Sequence, residues 1–231
     1  MISFDIERDF HNRNITMIGV DESGRGSWAG PLVSTACWFD FTKYKTLHSE
    51  INDSKKLKSS KRREIILSLN NFVKYSSSVA SVKEIDMYGL SYANTIAMKR
   101  SIFSLTKELK NLQKHKKKDI CVYIDGKFKP DFENLDNFLK FKKLHLDICS
   151  VEMLVKGDSL CKTIALASII SKETRDTIMK QLSMKHPSYF FDRHFGYGTK
   201  NHINAILKNG ILDLHSKSFK PIASIYGKKT Q

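Results

Sequence analysis

The sequence has few cysteines, and their spacing does not support a structural role. Its four cysteines, Cys37, Cys121, Cys149 and Cys161, lie far apart in mostly apolar stretches and form no C-x-x-C pair. This pattern argues against a disulfide framework and against a zinc site. We therefore expect reduced thiols in the core of a cytoplasmic protein.

Export and membrane signals are missing as well. The first ten residues, MISFDIERDF, carry acids where a signal peptide needs basic and then apolar residues. No apolar run approaches the roughly 18 residues of a membrane-spanning helix. A protein that is neither exported nor embedded in a membrane is the expectation.

Acidic residues are scarce relative to basic ones. Asp and Glu number 24 against 39 Lys and Arg, which gives a formal net charge of +15. A surplus of this size favours a polyanionic partner such as nucleic acid. The alternative is a basic protein whose lysines follow from genome composition alone. With 231 residues, 41% of them hydrophobic, the chain is long enough to bury the core of one domain.

Apolar runs of strand length alternate with helical patterns along the chain, which predicts a single α/β core. The predicted strands are residues 15–20, 32–39, 73–82, 120–124 and 146–155. The predicted helices start at a cap of Ser59 or Ser60, at about residue 91, at 156 and at about 200. The third is expected to run unbroken to about residue 184. A basic run at 114–118 and a lysine- and phenylalanine-rich loop after Gly126 separate elements, and the last segment packs beside the core.

Four acids are predicted at the end of a strand or the start of a helix, where side chains leave a rigid scaffold: Asp21, Glu22, Asp125 and Asp158. If they converge they repel one another unless cations fill the cluster. Hard oxygen ligands suit Mg²⁺ or Mn²⁺ better than zinc. Two such ions about 4 Å apart can cleave a phosphodiester by activating water and stabilising the leaving oxygen. Taken singly, each acid also fits a cap, a turn or a solvated surface position.

The turn Gly24-Arg25-Gly26 follows the first two acids directly. Glycines let the backbone approach a ligand closely, and Arg25 can form a bidentate pair with a phosphate. Backbone groups brought so close can also bond a ribose 2′-hydroxyl, which distinguishes RNA from DNA. The alternative is an ordinary glycine-rich turn.

Two further positions are candidates for substrate contact. Lys55 opens a basic stretch at 55–63 that can follow a phosphate backbone, although charge runs are usually solvated faces. Tyr197 lies between two glycines, where an exposed ring can stack on a sugar or base.

Other polar residues are assigned no function. His186, His194 and His202 lack the i, i+4 spacing of a zinc helix and are predicted in loops or at the surface. Glu173 and Asp176 interleave with basic residues on a predicted helix, which indicates an exposed, ion-paired face.

An ordered series of short motifs along nearly the whole chain resembles the ribonuclease HII family. The motifs are GVDESGRG at 19–26, AGP at 29–31, NDSKKL at 52–57, EID at 84–86, DG at 125–126, VKGD at 155–158, ASIISK at 167–172, GYGT at 196–199 and SFKP at 218–221. One departure is Phe195, which stands where that family commonly has a lysine.

The resemblance implies a ribonuclease H-like fold, with a mixed central sheet flanked by helices and a small helical C-terminal segment. Residues 1–185 would form the catalytic core, and residues 186–231 would pack on it. Asp21, Glu22, Asp125 and Asp158 would be catalytic metal ligands for Mg²⁺ or Mn²⁺, in a two-ion site that holds its ions weakly without substrate.

The implied activity is endonucleolytic cleavage of RNA in RNA/DNA hybrids and 5′ to ribonucleotides in duplex DNA, leaving 3′-hydroxyl and 5′-phosphate ends. Gly24, Arg25 and Gly26 would read the 2′-hydroxyl, Lys55 would contact the backbone, and Tyr197 would stack on the next sugar. Such a cytoplasmic, monomeric enzyme would serve ribonucleotide excision repair and DNA replication. Two rival functions are a noncatalytic duplex-binding protein and a nuclease of the same fold that acts on DNA alone.

Overall fold

A computed structural model of the protein describes residues 2–112, 119–126 and 148–227. The predicted loop after Gly126, the basic run at 114–118 and the first two residues of the predicted strand 146–155 lie outside these ranges. The strands are Thr16–Ser23 (β1), Leu32–Phe39 (β2), Val73–Ala80 (β3), Ile120–Asp125 (β4) and Ile148–Leu154 (β5). The α-helices are Asp5–Asn12 (α1), Ser59–Ser68 (α2), Val82–Tyr88 (α3), Leu90–Leu112 (α4), Gly157–Leu160 (α5), Lys162–Lys185 (α6), Phe191–His194 (α7), Lys200–Asn209 (α8) and Lys220–Gly227 (α9).

The described strands form one five-stranded sheet in the order β3-β2-β1-β4-β5. β1 pairs with β2 antiparallel, and β2 pairs with β3 antiparallel. β4 and β5 run parallel to β1 and to each other. The predicted mixed sheet flanked by helices is therefore confirmed. Because β1 and β4 are parallel neighbours, their carboxyl ends lie at the same edge, which brings Asp21 and Asp125 to one place.

Helices cover both faces of the sheet. On one face, Ile18 and Val20 of β1 pack with Met98, Ile102 and other residues of α4. The opposite face carries α6, and Gly19 lets it approach closely: a Cβ on Gly19 would lie 2.7 Å from the backbone nitrogen of Ile164. Alternate residues of a strand point to opposite faces. Odd-numbered positions of β1 therefore face α6, and even-numbered positions face α4.

The predicted unbroken helix from residue 156 is wrong, because α5 ends at Leu160 and α6 begins at Lys162. Cys161 between them is extended. The buried carboxylate of Glu7 accepts hydrogen bonds from the Thr163 backbone N–H at 2.9 Å and from its hydroxyl at 3.0 Å. An acid from α1 thus satisfies the start of α6, so a new helix begins there.

Two smaller predictions also need correction. α2 begins at Ser59 with Lys58 as its N-cap, and no side chain caps it, so the proposed serine cap is wrong. Cys149 is exposed, unlike the other three cysteines, and its sulfur lies 3.1 Å from that of Cys121. The core assignment of all four thiols therefore fails at Cys149.

The C-terminal segment packs against the far end of α6. Met179 of α6 shares a buried cluster with Phe191, Ile206 and Ile222. Residues of this segment also hydrogen-bond the loop between β1 and β2, since the N–H of Gly30 donates to the carbonyl of Leu214 at 2.9 Å. Among the described helices, none has the length and apolar character needed to cross a membrane.

Candidate active site

Three of the four predicted acids meet at one edge of the sheet. One carboxylate oxygen from each of Asp21, Asp125 and Asp158 lies within 4.8 Å of the other two. Asp21 and Asp158 are buried, and Asp125 is half-buried. These acids come from β1, β4 and α5, so only the tertiary fold brings them together.

The chain after β5 is shaped so that Asp125 and Asp158 face one another. Lys156 adopts a left-handed conformation with φ 58° and is the N-cap of α5. The next backbone N–H, that of Gly157, donates to Oδ1 of Asp125 at 2.6 Å. This bond fixes the Asp125 carboxylate against the turn that carries Asp158.

Asp21 and Glu22 are neighbours in sequence but point to opposite faces of β1. Asp21 lies on the α6 side near Ser168, whose hydroxyl donates to that of Ser54 at 2.9 Å. Glu22 lies on the α4 side beside the fully buried Asn94. Strand alternation therefore explains why Glu22 is not part of the 4.8 Å cluster, although its charge still acts on Asp21.

The cluster is electrostatically unfavourable without a cation. Burial raises the pKa of Asp21 well above its usual value, and the charges of Glu22 and Asp125 raise it further. Burial also raises the pKa of Glu22 and of Asp158, and in both the Asp125 charge adds to the effect. Closely spaced buried carboxylates of this kind fit the oxygen preference of Mg²⁺ or Mn²⁺.

Lys55 lies beside these acids. Its partial burial opposes the ammonium charge, but the carboxylates of Asp21, Asp53, Asp158 and Asp125 outweigh burial and raise its pKa. The remainder of the basic stretch is largely occupied within the protein. Lys61 pairs with Glu50 and Glu64, and Arg62 pairs with Asp176.

The predicted exposed face on α6 is wrong, because Glu173 and Asp176 are buried. Arg62 donates to Asp176 at 2.9 Å, and Arg63 donates to Glu173 at 2.6 Å. Their partners come from α2, which packs on this side of α6. Residue spacing along α6 predicted that Glu173 and Asp176 share a face, but it could not predict that α2 packs over that face.

The glycine-arginine-glycine turn rests on a buried arginine, Arg175 of α6. Its guanidinium donates to the carbonyl of Pro31 at 2.8 Å, the hydroxyl of Ser27 at 2.7 Å and the carbonyl of Ala29 at 3.1 Å. Gly24 has φ +100°, and a Cβ there would lie 2.1 Å from Nε of Arg175. This position therefore requires glycine, because both its φ and the arginine exclude a side chain.

Tyr197 lies in a turn that the same arginine holds. Arg175 donates to the carbonyl of Phe195 at 2.9 Å, and its guanidinium lies 5.5 Å from the centroid of the Tyr197 ring. The Lys172 ammonium lies 4.8 Å from the centroid of the Phe195 ring. The Phe195 carbonyl therefore accepts from Arg175, and the Phe195 ring makes a cation–π contact with Lys172.

One cleft of about 490 Å³ joins most of these elements. Its lining includes the two acids of β1, the glycine-arginine-glycine turn, Lys55 and Tyr197. Asp125 and Asp158 adjoin it, because a carboxylate oxygen of each lies within 4.8 Å of one of Asp21. All nine predicted site residues are therefore placed in or beside one cleft.

Sequence reasoning missed the side of α6 that faces the cleft. Ser168 and Lys172 line it, and Arg175 supports its turns. Their spacing of four and then three residues is that of one helix face, so this stripe of polar residues was the available signal.

The predicted surface position of His194 and His202 is also wrong. His194 is 6% exposed and His202 is fully buried, as is His215. His186 follows α6 in a half-buried position, consistent with the loop prediction.

Comparison with known proteins identifies the family. Residues 18–222 match the sequence profile of Ribonuclease HII. The chain belongs to the ribonuclease HII family. A ribonuclease HII of Wolbachia pipientis wMel is 37% identical over 205 residues, covering 89% of this chain and 90% of the relative. Membership makes the chain an endoribonuclease that acts on RNA/DNA hybrids, in a family that uses divalent metal ions.

Solved structures agree on the ribonuclease H-like fold. The ribonuclease H2 of Pyrococcus horikoshii OT3 is similar with a TM-score of 0.71 and 22% identity, covering 94% of this chain and all of that one. Bst-RNase HIII in complex with Mn²⁺ is similar with a TM-score of 0.65 and 20% identity, covering 93% of this ribonuclease HII chain and 70% of that one.

Proposed function

We propose that the protein hydrolyses the phosphodiester 5′ to a ribonucleotide, including single ribonucleotides in duplex DNA, and leaves 3′-hydroxyl and 5′-phosphate ends. The observation that carries this proposal is the meeting of Asp21, Asp125 and Asp158 within 4.8 Å. The cleft beside them is lined by the Gly24–Gly26 turn. An acidic cluster beside a phosphate-binding turn suits phosphodiester hydrolysis with metal ions.

The acids would hold the metal ions, and Glu22 would complete the ligand set from the other face of β1. Two Mg²⁺ or Mn²⁺ ions bound there would supply the positive charge that activates water and stabilises the leaving oxygen. The complex of Bst-RNase HIII with Mn²⁺ supports this choice of ions. We propose that the residues themselves provide ligands, position the substrate and supply no covalent nucleophile.

Substrate positioning is proposed for the rest of the cleft. Arg25, whose side chain is 48% exposed, would bind a phosphate, while the backbone at Gly24 and Gly26 reads the 2′-hydroxyl. Tyr197, 36% exposed, would stack on the following sugar. Lys55 would contact the backbone close to the acids.

The rival functions lack this support. A protein that only binds duplexes gains nothing from buried acids beside its phosphate site, because without metal ions they repel a phosphate. A nuclease that acts on DNA alone does not need backbone groups that the glycines of the turn leave accessible to a 2′-hydroxyl.

The proposed ribose recognition predicts a loss of cleavage when the junction ribose is replaced by 2′-deoxyribose. A duplex with one ribonucleotide should be cut in Mg²⁺, and its all-DNA counterpart should not, since the turn then has no 2′-hydroxyl to bond. Gel analysis of end-labelled strands, with and without Mg²⁺, measures this. Equal cutting of both duplexes would remove the basis for ribose recognition.

Backbone contact by Lys55 predicts a specific change in salt dependence. Affinity should fall with a log-log slope of about −0.9 per phosphate neutralised, and Lys55→Gln should make the slope shallower by about 0.9. Lys56→Gln is the control, because Lys56 is an exposed neighbour outside the cleft lining. Binding is measured in a cleavage-deficient background. Equal slopes for the two variants would remove Lys55 from the interface.

We further propose that residues 1–185 form the catalytic core and that residues 186–231 pack on it and supply Tyr197. The N–H groups of Trp28 and Ala29 both donate to the Gly196 carbonyl, at 2.8 and 3.2 Å, which joins the two parts beside the cleft. A cytoplasmic monomer that serves ribonucleotide excision repair and replication is part of the same proposal. Free buried thiols such as Cys37 and Cys161 suit a reducing compartment.

A further inference from the structure

Three buried histidines lie directly behind the Tyr197 turn. The rings of His194 and His202 stack, with centroids 4.3 Å apart and planes inclined by 18°. Nε2 of His202 lies 3.1 Å from Nε2 of His215, and Nδ1 of His202 lies 3.0 Å from the carbonyl oxygen of Tyr197. The cleft lining does not include them, so they do not touch substrate there.

The hydrogen bonds fix which nitrogen of each ring carries the proton. A carbonyl oxygen can only accept, so Nδ1 of His202 is protonated and donates to Tyr197. In a neutral ring the other nitrogen, Nε2, must then accept, which requires a proton on Nε2 of His215. That leaves Nδ1 of His215 as an acceptor, and the Leu212 N–H lies 2.9 Å from it. The Leu212 carbonyl oxygen lies 3.2 Å from the same nitrogen but already accepts the His215 backbone N–H at 2.9 Å, so it does not require a proton on Nδ1. The order of donors is therefore consistent from Leu212 to Tyr197.

His194 follows the same rule beside this chain. Its Nδ1 accepts the N–H of Gly196 at 3.2 Å, and its Nε2 lies 2.8 Å from the Tyr189 carbonyl, to which it donates. Gly196 and Tyr197, the two residues that follow Phe195, are thus both bonded to imidazoles. Burial lowers the pKa of His202 and of His215 to about 4, which keeps both rings neutral at pH 7.

We propose that His202, oriented by His215, is a positioning residue that holds the Tyr197 backbone so that its ring is presented to the substrate. This inference rests on the proposed stacking role of Tyr197. An imidazole suits the task because it is a rigid donor and acceptor in one ring.

The test compares substitutions that keep or remove the donor to Tyr197. In His202→Asn the amide nitrogen replaces Nδ1, whereas His202→Leu has no donor, and both lose the bond to His215. For a duplex with one ribonucleotide, we expect KM to rise about fivefold more in the leucine variant, the effect of one hydrogen bond. The kcat values should match, because the acids are untouched. Equal KM values for the two variants would overturn the proposal.

A double-substitution cycle separates positioning from a general loss of stability. In a Tyr197→Ala background, the difference in KM between His202→Leu and His202→Asn should vanish, because there is no ring to present. A difference that persists would show that His202 acts elsewhere. If Tyr197→Ala alone leaves KM unchanged, stacking by Tyr197 is rejected.

Nitrogen-15 NMR of the histidine rings tests the arrangement without any reference to activity. At pH 7 we expect the proton of His202 on Nδ1 and that of His215 on Nε2. In His215→Leu, Nε2 of His202 loses its hydrogen-bond donor. In His215→Gln, the side-chain amide can again donate to Nε2 of His202. A proton on Nε2 of His202 in the parent protein would overturn the proposed chain even if Tyr197 does stack on the substrate.

Discussion

Replacing Asp125 by Asn is expected to lower kcat by roughly a thousandfold or more and to leave affinity for the hybrid largely intact. Losing one charged ligand removes several kcal/mol of transition-state stabilisation, and each 1.36 kcal/mol is a factor of ten in rate. Asparagine retains an oxygen to accept the Gly157 N–H, which is 2.6 Å from Oδ1 of Asp125. The turn that carries Asp158 should therefore stay in place. Single-turnover cleavage and equilibrium binding of one labelled duplex measure the two effects.

The same substitution should stabilise the metal-free protein. Burial and the charges of Glu22 and Asp125 raise the pKa of Asp21. Stability linked to a raised carboxyl pKa is full below the unfolded pKa and is lost as pH rises through the folded pKa. Above that range the ionised cluster destabilises the fold, and removing the Asp125 charge should recover on the order of 1–3 kcal/mol. Urea unfolding at pH 8 in EDTA measures this gain, and Mg²⁺ should stabilise the parent more than the variant.

Asp119→Asn is the matched control. Asp119 is exposed and directly precedes β4, so the same chemical change is made at the opposite end of the same strand. We expect neither kcat nor stability in EDTA to change appreciably. Unchanged turnover in Asp125→Asn would reject the proposed metal role, and a fall shared by both variants would indicate damage to the strand instead.

The sequence indicated that Asp21 and Asp125 lie where strands end, because a strand end is a local feature. The apolar runs that end at Asp21 and Asp125 identify the ends of two strands. Once these strands pair in parallel, both acids must lie at the same edge of the sheet. The predicted strand ended at residue 20, before Asp21 and Glu22, and therefore assigned neither acid to a face, whereas β1 runs to Ser23. Alternation along β1 supplies that distinction once Gly19 is seen to face α6.

The errors share a cause, which is packing by elements distant in the chain. Glu173 and Asp176 looked exposed because the arginines that cover them lie on α2, 110 or more residues away. His202 looked like a surface residue because its partner His215 lies 13 residues on, beyond a helix end. Helical spacing describes one element, so a partner on another element leaves no periodic signal.

Substitution of Arg175 by Met should cost about 3–5 kcal/mol of stability, the range for breaking a buried charged network. Arg175 is fully buried, and methionine would leave its acceptors at Ser27, Ala29, Pro31 and Phe195 without that donor. For a chain of this length the loss corresponds to a fall in Tm of roughly 6–20 °C. Arg175→Lys should recover little, because one ammonium cannot replace donors spread over three nitrogens.

The same variants test whether Arg175 links two proposed substrate contacts, recognition of the 2′-hydroxyl by the glycine-arginine-glycine turn and stacking of Tyr197 on the next sugar. It bonds both the turn that follows Gly24 and the Phe195 carbonyl next to the Tyr197 turn, so its loss should raise KM more than changes at either turn alone. Lys180→Met, a half-buried position on the same helix, controls for losing a cation from α6 and should shift Tm by less than about 3 °C. Thermal unfolding followed by circular dichroism measures the shift in Tm, and cleavage of a duplex with one ribonucleotide measures the rise in KM. If Arg175→Met has the same Tm as the parent protein, the guanidinium does not hold the two turns.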